Sequence, residues 1–319
     1  MAGLYNSSNP AEARKAFRAG LNSGTIQKLP GAFSPLVARL IEDIGGFEGV
    51  YVSGAVLAND LALPDIGLTT LTEVAARSRQ IARATSLPVM VDADTGFGEP
   101  MSAARTISEF EDAGLAGCHL EDQVNPKRCG HLDGKEVIPT DLMVRRISAA
   151  VKERRDENFV ICARTDAAGV EGIDAAIERA KAYADAGADL IFTEALYSPA
   201  DFEKFRKAVD TPLLANMTEF GKTELLSAGE LQDLGYNAVI YPVTTLRIAM
   251  GATEDALRDI AETGTQRDWV DRMQHRSRLY ELVRYEDYNE FDQQVFTYSA
   301  DSYQPTFNIP TSPTSDPSS

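Results

Sequence analysis

Two aspartates, Asp92 and Asp94, close an apolar run, and further on Lys127-Arg128-Cys129-Gly130-His131 sets a thiol among cations. If the aspartates lie on a strand, their side chains point the same way. Two close carboxylates repel unless a cation or a proton sits between them. One or two carboxylates, with water and substrate filling the remaining positions, make a Mg²⁺ site. Zn²⁺ fits less well, because the nearby His and Cys lack paired ligand spacing. The plain alternative is one ligand and one helix cap. Around Cys129, neighbouring positive charge lowers a thiol's pKa and favours thiolate, and Gly130 frees the backbone to approach a ligand or to move. A cationic loop over a metal rim suits a substrate with several carboxylates, and suits a lid that excludes water. The plain alternative is an exposed loop with an incidental Cys. Cys118 and Cys162 sit inside apolar runs and read as small core residues. His119 reads as a satisfied core group or a support to the site, and His275 as a solvated residue.

The elements that must position these groups repeat. Asp43-Ile44-Gly45, Asp112-Ala113-Gly114, Asp185-Ala186-Gly187 and Asp233-Leu234-Gly235 each precede a short apolar run. A Gly there ends a helix in the left-handed conformation. The runs are continuously apolar, as in parallel strands covered on both faces. Residues 87–94, 159–166 and 211–217 are of the same kind. Between them lie helical patterns: Ser34, Thr70 with Glu73, and Thr140 are candidate caps. With about eight strands counting Leu29 to Phe33, the alternation favours a (β/α)₈ TIM barrel. A doubly wound sheet fits less well, because no Gly-rich phosphate fingerprint follows the first strand. In a barrel, chemistry happens at the C-terminal strand ends. Here those ends carry Ser53-Gly54, Asp92-Ala93-Asp94, Glu121-Asp122, Arg164-Thr165-Asp166, Glu194 and Asn216. Singly each could be a loop or cap residue; together they converge on one rim. The organisation expected is a helical arm over 1–25, a barrel over 26–254, further helices over 255–298 and a disordered Ser/Pro-rich tail over 299–319.

The chain has 319 residues with 31 Lys+Arg against 48 Asp+Glu, a formal net charge of −17. That balance argues against nucleic-acid binding, which needs basic surface, and against attachment to anionic lipid. No segment approaches the roughly 20 apolar residues of a membrane span. The start lacks a secretory apolar region, and 3 Cys are no disulfide framework. These features predict a cytoplasmic protein.

The residues also resemble a family. Lys127-Arg128-Cys129-Gly130-His131 is similar to the signature of the isocitrate lyase/phosphoenolpyruvate mutase superfamily, with Arg at its second position as in the methylisocitrate lyase branch. Tyr51-Val52-Ser53-Gly54, Leu63-Pro64-Asp65, Val91 to Gly98, Leu120 to Gln123, Ala163 to Asp166 and Asn216 to Phe220 agree. The resemblance covers roughly residues 25 to 295. It implies a barrel of the phosphoenolpyruvate/pyruvate type with C-terminal helices swapped between subunits of a homotetramer, a dimer of dimers. It implies Mg²⁺, or Mn²⁺ in its place, held by Asp92 and Asp94 with Asp65 and Glu121 behind them. The implied reaction cleaves 2-methylisocitrate, a small tricarboxylate, to pyruvate and succinate within the methylcitrate cycle of propionate breakdown. Cys129, Tyr51, His131 and Lys127 fall at catalytic positions. Ser53, Gly54, Ala55, Gly130, Arg164, Phe192, Glu194, Asn216, Thr218, Arg247 and Arg276 fall at substrate positions. Each Arg could instead form an ordinary ion pair. Phe192, where isocitrate-specific relatives tend to have Trp, would leave room for the extra methyl; the alternative is a core aromatic. Three departures bear on substrate identity: Ala55 for a usual Gly, Thr193 for a usual Pro, and Leu132-Asp133-Gly134 for a usual polar run. The rivals are a sibling lyase acting on isocitrate, 2,3-dimethylmalate or oxaloacetate, and an inactive barrel with a binding role.

Overall fold

Short runs dominated by Val, Ile, Leu and Ala fold as parallel strands because both of their faces can be buried. The computed structural model describes residues 9–128 and 134–296. Its strands are β1 (Gln27–Pro30), β2 (Val50–Val52), β3 (Val89–Asp92), β4 (Gly117–Glu121), β5 (Val160–Thr165), β6 (Leu190–Thr193), β7 (Leu213–Asn216) and β8 (Ala238–Tyr241). They hydrogen-bond in the order β1-β8-β7-β6-β5-β4-β3-β2. The first strand pairs with the last, Gln27 opposite Ala238. A bridge between Gly31 and Tyr51 brings β1 toward β2, so the sheet is a nearly closed (β/α)₈ barrel, as the alternation predicts.

The helices are α1 (Pro10–Leu21), α2 (Pro35–Ile44), α3 (Gly54–Asp60), α4 (Leu71–Ala84), α5 (Pro100–Asp112), α6 (Thr140–Glu153), α7 (Ile173–Asp185), α8 (Pro199–Ala208), α9 (Ala228–Asp233) and α10 (Thr244–Thr263). Ser34 accepts from the Val37 amide, and Thr70 with Glu73 forms a reciprocal capping box. Thr140 is not a cap. It is the first helical residue of α6, entered from Pro139 with no side-chain cap bond. The proline's fixed φ already sets the chain's entry into that helix. All four junction glycines take positive φ.

Strand alternation sorts the core into two layers. Val50, Val52, Val89, Val91, Leu120, Ile161, Ala163, Ile191, Leu213 and Val239 pack outward against the helices. Leu29, Tyr51, Met90, Val160, Cys162, Leu190, Phe192, Leu214 and Ile240 fill the interior. Cys118 belongs to the outer layer and Cys162 to the inner, both as free buried thiols. Continuing the inward phase past each apolar residue reaches Ser53, Asp92, Glu121, Arg164, Glu194 and Asn216.

The other mouth is covered by α1. Its Phe17 and Leu21 join the interior cluster at 1% and 2% exposure, each contributing about 1.5–3 kcal/mol by transfer scales. Arg14 fixes its position by donating to the Leu115 and Glu111 carbonyls at 2.8 and 2.6 Å and pairing with Asp156 at 3.2 Å.

A second unit begins at Gln274. Its described part holds α11 (Arg276–Leu282) and α12 (Tyr285–Phe296). Tyr280 stacks on Tyr285 at 4.7 Å. Arg276 is the first residue of α11. Among the described residues no helix is long and apolar enough to cross a membrane.

Candidate active site

Asp92 is the last residue of β3, and its carboxylate is held from two sides. The Asp94 amide donates to Oδ1 at 2.9 Å and the Gly54 amide to Oδ2 at 3.2 Å. Asp94 lies beyond the strand with φ +45°. The two carboxylates therefore converge through a left-handed turn and not through strand alternation, which corrects the reason given by the sequence. Ser53 caps α3 through the Val56 amide and so places Gly54. A Cβ on Gly54 would lie 2.8 Å from Asp92 Oδ2 and 3.1 Å from Asp94 Oδ1, so glycine keeps the front of both carboxylates clear.

Lys127 is buried at 2% exposure, not solvated as a loop cation would be. Its ammonium pairs with Asp65 and lies 2.8 Å from Asp94 Oδ1. Burial and the Asp92 charge push the Asp94 carboxyl up to about 6, against the pull of Lys127. Burial works the same way on Asp92, but His119, Lys127 and Arg164 outweigh it and hold that carboxyl below its usual value. Unequal partners are what two close carboxylates produce.

These residues fit a hard divalent cation. Two buried carboxylates face a space kept open by Gly54, and neither oxygen of Glu121 accepts a hydrogen bond among the described residues. Among those residues no three His, Cys, Asp or Glu side chains meet at one point. Asp92 and Asp94 would hold the ion, with the other positions left to water and substrate.

Arg164, on β5, stands opposite this cluster. Its guanidinium takes Asp166 in a fork at 2.9 and 3.1 Å, Glu121 at 3.1 Å and Glu194 at 3.8 Å. It also lies over the Phe192 ring, 5.1 Å from the centroid. Burial opposes its charge, but Asp166, Glu121 and Glu194 raise its pKa further. Burial drives Glu121 well above the ordinary carboxylate range despite Arg164.

On the third side the Tyr51 hydroxyl meets His119 Nε2 at 2.7 Å. His119 Nδ1 lies 3.7 Å from Asp92 Oδ1, and its ring meets Phe192 edge-on. Burial brings His119 down to about 4 even though Asp92 opposes that shift, so the ring is neutral at pH 7. Burial and then Asp92 raise Tyr51 well above its usual value. It is therefore a hydrogen-bond donor and not a phenolate.

Tyr51, Ser53, Ala55, Asp65, Asp92, Lys127, Arg164, Phe192, Glu194, Asn216 and Thr218 line one cavity, joined by Arg128, Ile240, Pro242 and Val243. Asn216 donates to Glu194 at 3.2 Å. Arg247, from α10, donates to Thr218 at 3.2 Å and to the Glu219 carboxylate at 2.8 Å. The ion pair considered for it is thus present. Arg276 belongs to the second unit. Cys129, Gly130 and His131 lie outside the described residues, as do Leu132, Asp133 and the tail from residue 297. Thr193 turns away from the cavity, its hydroxyl 3.4 Å from that of Tyr236; its departure from the family pattern bears on packing. Four non-glycine residues with positive φ, Asp94, Phe97, Ala195 and Phe220, sit in loops that follow strands, where strained backbone commonly serves a site. Sequence reading placed Asp166 on the polar rim without a partner and gave no role to Lys135.

The barrel thus gathers carboxylates, a guanidinium and a buried ammonium around one cavity. The profile of the phosphoenolpyruvate phosphomutase family matches residues 17–261, and the chain belongs to that family, in its methylisocitrate lyase branch. It is 80% identical over 308 residues to a Corynebacterium glutamicum protein named probable 2-methylisocitrate lyase 2, covering 96% of this chain and 100% of the relative. It is 50% identical over 266 residues to the 2-methylisocitrate lyase of Aeropyrum pernix, covering 83% and 85%. Among solved structures it matches 2,3-dimethylmalate lyase, a member of the phosphoenolpyruvate mutase/isocitrate lyase superfamily, with a TM-score of 0.83 and 33% identity over 89% of this chain and 95% of that one.

Proposed function

We propose that the protein cleaves 2-methylisocitrate to pyruvate and succinate, using Mg²⁺ or Mn²⁺ at Asp92 and Asp94, as a cytoplasmic homotetramer in the methylcitrate cycle. The observation that carries this reading is the cavity lined by Arg164, Phe192 and the Asp92 carboxylate, with Asp94 held beside Asp92 by its amide. Relatives named 2-methylisocitrate lyase support the substrate. The swap of C-terminal helices between subunits belongs to the same reading, with Arg276 contributing to substrate binding.

When bound, the cation supplies a Lewis acid and a template for the hydroxyl and carboxylate of the future pyruvate. Arg164, whose Nε and Nη2 already bond Asp166, holds a substrate carboxylate with its charge and its remaining Nη N–H groups. Tyr51, kept as a phenol, donates to the oxygen that changes from hydroxyl to ketone. As the carbon–carbon bond breaks, its electron pair stays on the succinate fragment, while a base takes the hydroxyl proton and passes it to solvent water. Cys129 gives that carbanion a proton, with Lys127 and His131 tuning the thiol's surroundings. Ser53, Gly54, Ala55, Gly130, Glu194, Asn216, Thr218 and Arg247 bind or shape the rest, while Asp65 and Glu121 support the metal end. Phe192 leaves room for the methyl, a distinction worth about 1–3 kcal/mol.

The test is to give the purified protein and Mg²⁺ three acids: 2-methylisocitrate, isocitrate and 2,3-dimethylmalate. Pyruvate and succinate from the first, abolished by EDTA and restored by Mg²⁺, are expected. Turnover of another acid alone would move the substrate assignment, and inertness toward all three would overturn the lyase reading.

A further inference from the structure

Arg164 faces three carboxylates, Asp166, Glu121 and Glu194, none of them more than 2% exposed. A guanidinium so surrounded has little charge to offer an incoming anion. A second cation changes that balance. The ammonium of Lys135, its side chain 5% exposed, lies 2.8 Å from Asp166 Oδ1, the same oxygen that Arg164 Nη2 reaches at 3.1 Å.

The backbones on both sides of this contact are fixed. The Val124 amide donates to the Glu136 carbonyl and the Ile138 amide to the Asp122 carbonyl, both at 2.8 Å, and Gln123 bridges Val137. Lys135 is thus at the end of a paired stem. Asp166 is held by its amide on Asp122 Oδ1 at 2.9 Å. Asp122 in turn accepts from the Thr165 and Tyr183 hydroxyls, each at 2.8 Å.

We infer that Lys135 is a positioning residue for substrate capture: by sharing Asp166 it leaves the charge of Arg164 facing the cavity. This rests on the reading that Arg164 holds a substrate carboxylate. Removing the ammonium takes one positive charge from a site that must accept a polyanion, and leaves Asp166 wholly on Arg164. Both effects weaken anion binding. Neither touches the groups that break the bond, so the loss falls on binding.

The test compares wild type, Lys135→Met and the charge-retaining Lys135→Arg, each with Mg²⁺. Lys135→Met is expected to raise the KM for 2-methylisocitrate and the Kd for succinate, measured by titration calorimetry, about tenfold, with kcat within about threefold. Lys135→Arg is expected to stay within about threefold of wild type in all three. Unchanged KM and Kd in a folded Lys135→Met would overturn the inference, as would a fall in kcat at constant KM. Equal impairment of Lys135→Arg would mark a packing role and overturn it too. If Lys135→Met fails to fold, Lys135→Gln carries the same test. A wild type that does not cleave 2-methylisocitrate removes the proposed function, and the succinate titration then decides the inference alone. A wild type that binds no succinate overturns it.

Discussion

The Gly54 amide donates to Asp92 at 3.2 Å, and a methyl group at Gly54 would stand within 3.1 Å of both Asp92 and Asp94. One residue thus both orients a carboxylate and keeps the space before it free. Gly54→Ala is expected to weaken Mg²⁺ binding at least about tenfold, read by titration calorimetry. Gly54 is the first residue of α3, and the added methyl presses on two buried carboxylates, so the melting temperature is expected to fall as well. A variant that binds Mg²⁺ like wild type would show that the cation does not sit between these carboxylates.

Cys129→Ser tests the proton donor. The hydroxyl keeps the shape but is a far weaker acid than a thiol. Turnover is expected to fall by about 10²–10⁴ while Mg²⁺ binding and the circular dichroism spectrum stay unchanged. Exchange of succinate protons with D₂O, followed by NMR, should fall in step. Near wild-type exchange would remove the thiol from the reaction.

Phe192 sets the cavity wall with its ring against His119 and under Arg164. Phe192→Trp is expected to lower the ratio of kcat/KM for 2-methylisocitrate over isocitrate, with a ceiling of about 1–3 kcal/mol for one methyl. An unchanged ratio would place the methyl elsewhere.

Asp156 anchors α1 through Arg14. Burial opposes its charge, but bonds from Asn158 and Arg14 win and hold the carboxyl below its ordinary value. A lowered folded pKa gives stability that is present above the unfolded value, near 3.9, and fades as pH falls through the folded one. Asp156→Asn should therefore cost about 1–3 kcal/mol at pH 7 and progressively less below pH 4. Thermal melts of both proteins across that range check the convergence; a constant gap would contradict it.

The strands were legible because burial on both faces writes continuous apolar runs, and the polar rim was legible because charges interrupt those runs at their ends. Ser34 and the Thr70–Glu73 box could be read locally, since a cap is a contact within one turn. Thr140 misled because Pro139 before it already sets the helix entry. Lys127 read as part of the cationic loop around Cys129; its partner Asp65 lies 62 positions away, and nothing local in the sequence joins them. Lys135 and Asp166, 31 positions apart, were hidden for the same reason. Asp94 was assigned correctly to the carboxylate pair by a route the backbone does not take.

The pairing of β1 with β8 has a consequence for biosynthesis. Gln27–Pro30 is made first and meets Ala238–Tyr241 only when almost the whole barrel has left the ribosome. The side chain of Gln232 and the backbone of Asn237, which accept from the Ile26 and Gln27 amides, arrive just as late. Until then the nascent sheet has open edges, the template on which chains mispair. The time taken to translate from β1 to β8 therefore governs how long each new chain is exposed to its neighbours on the polysome.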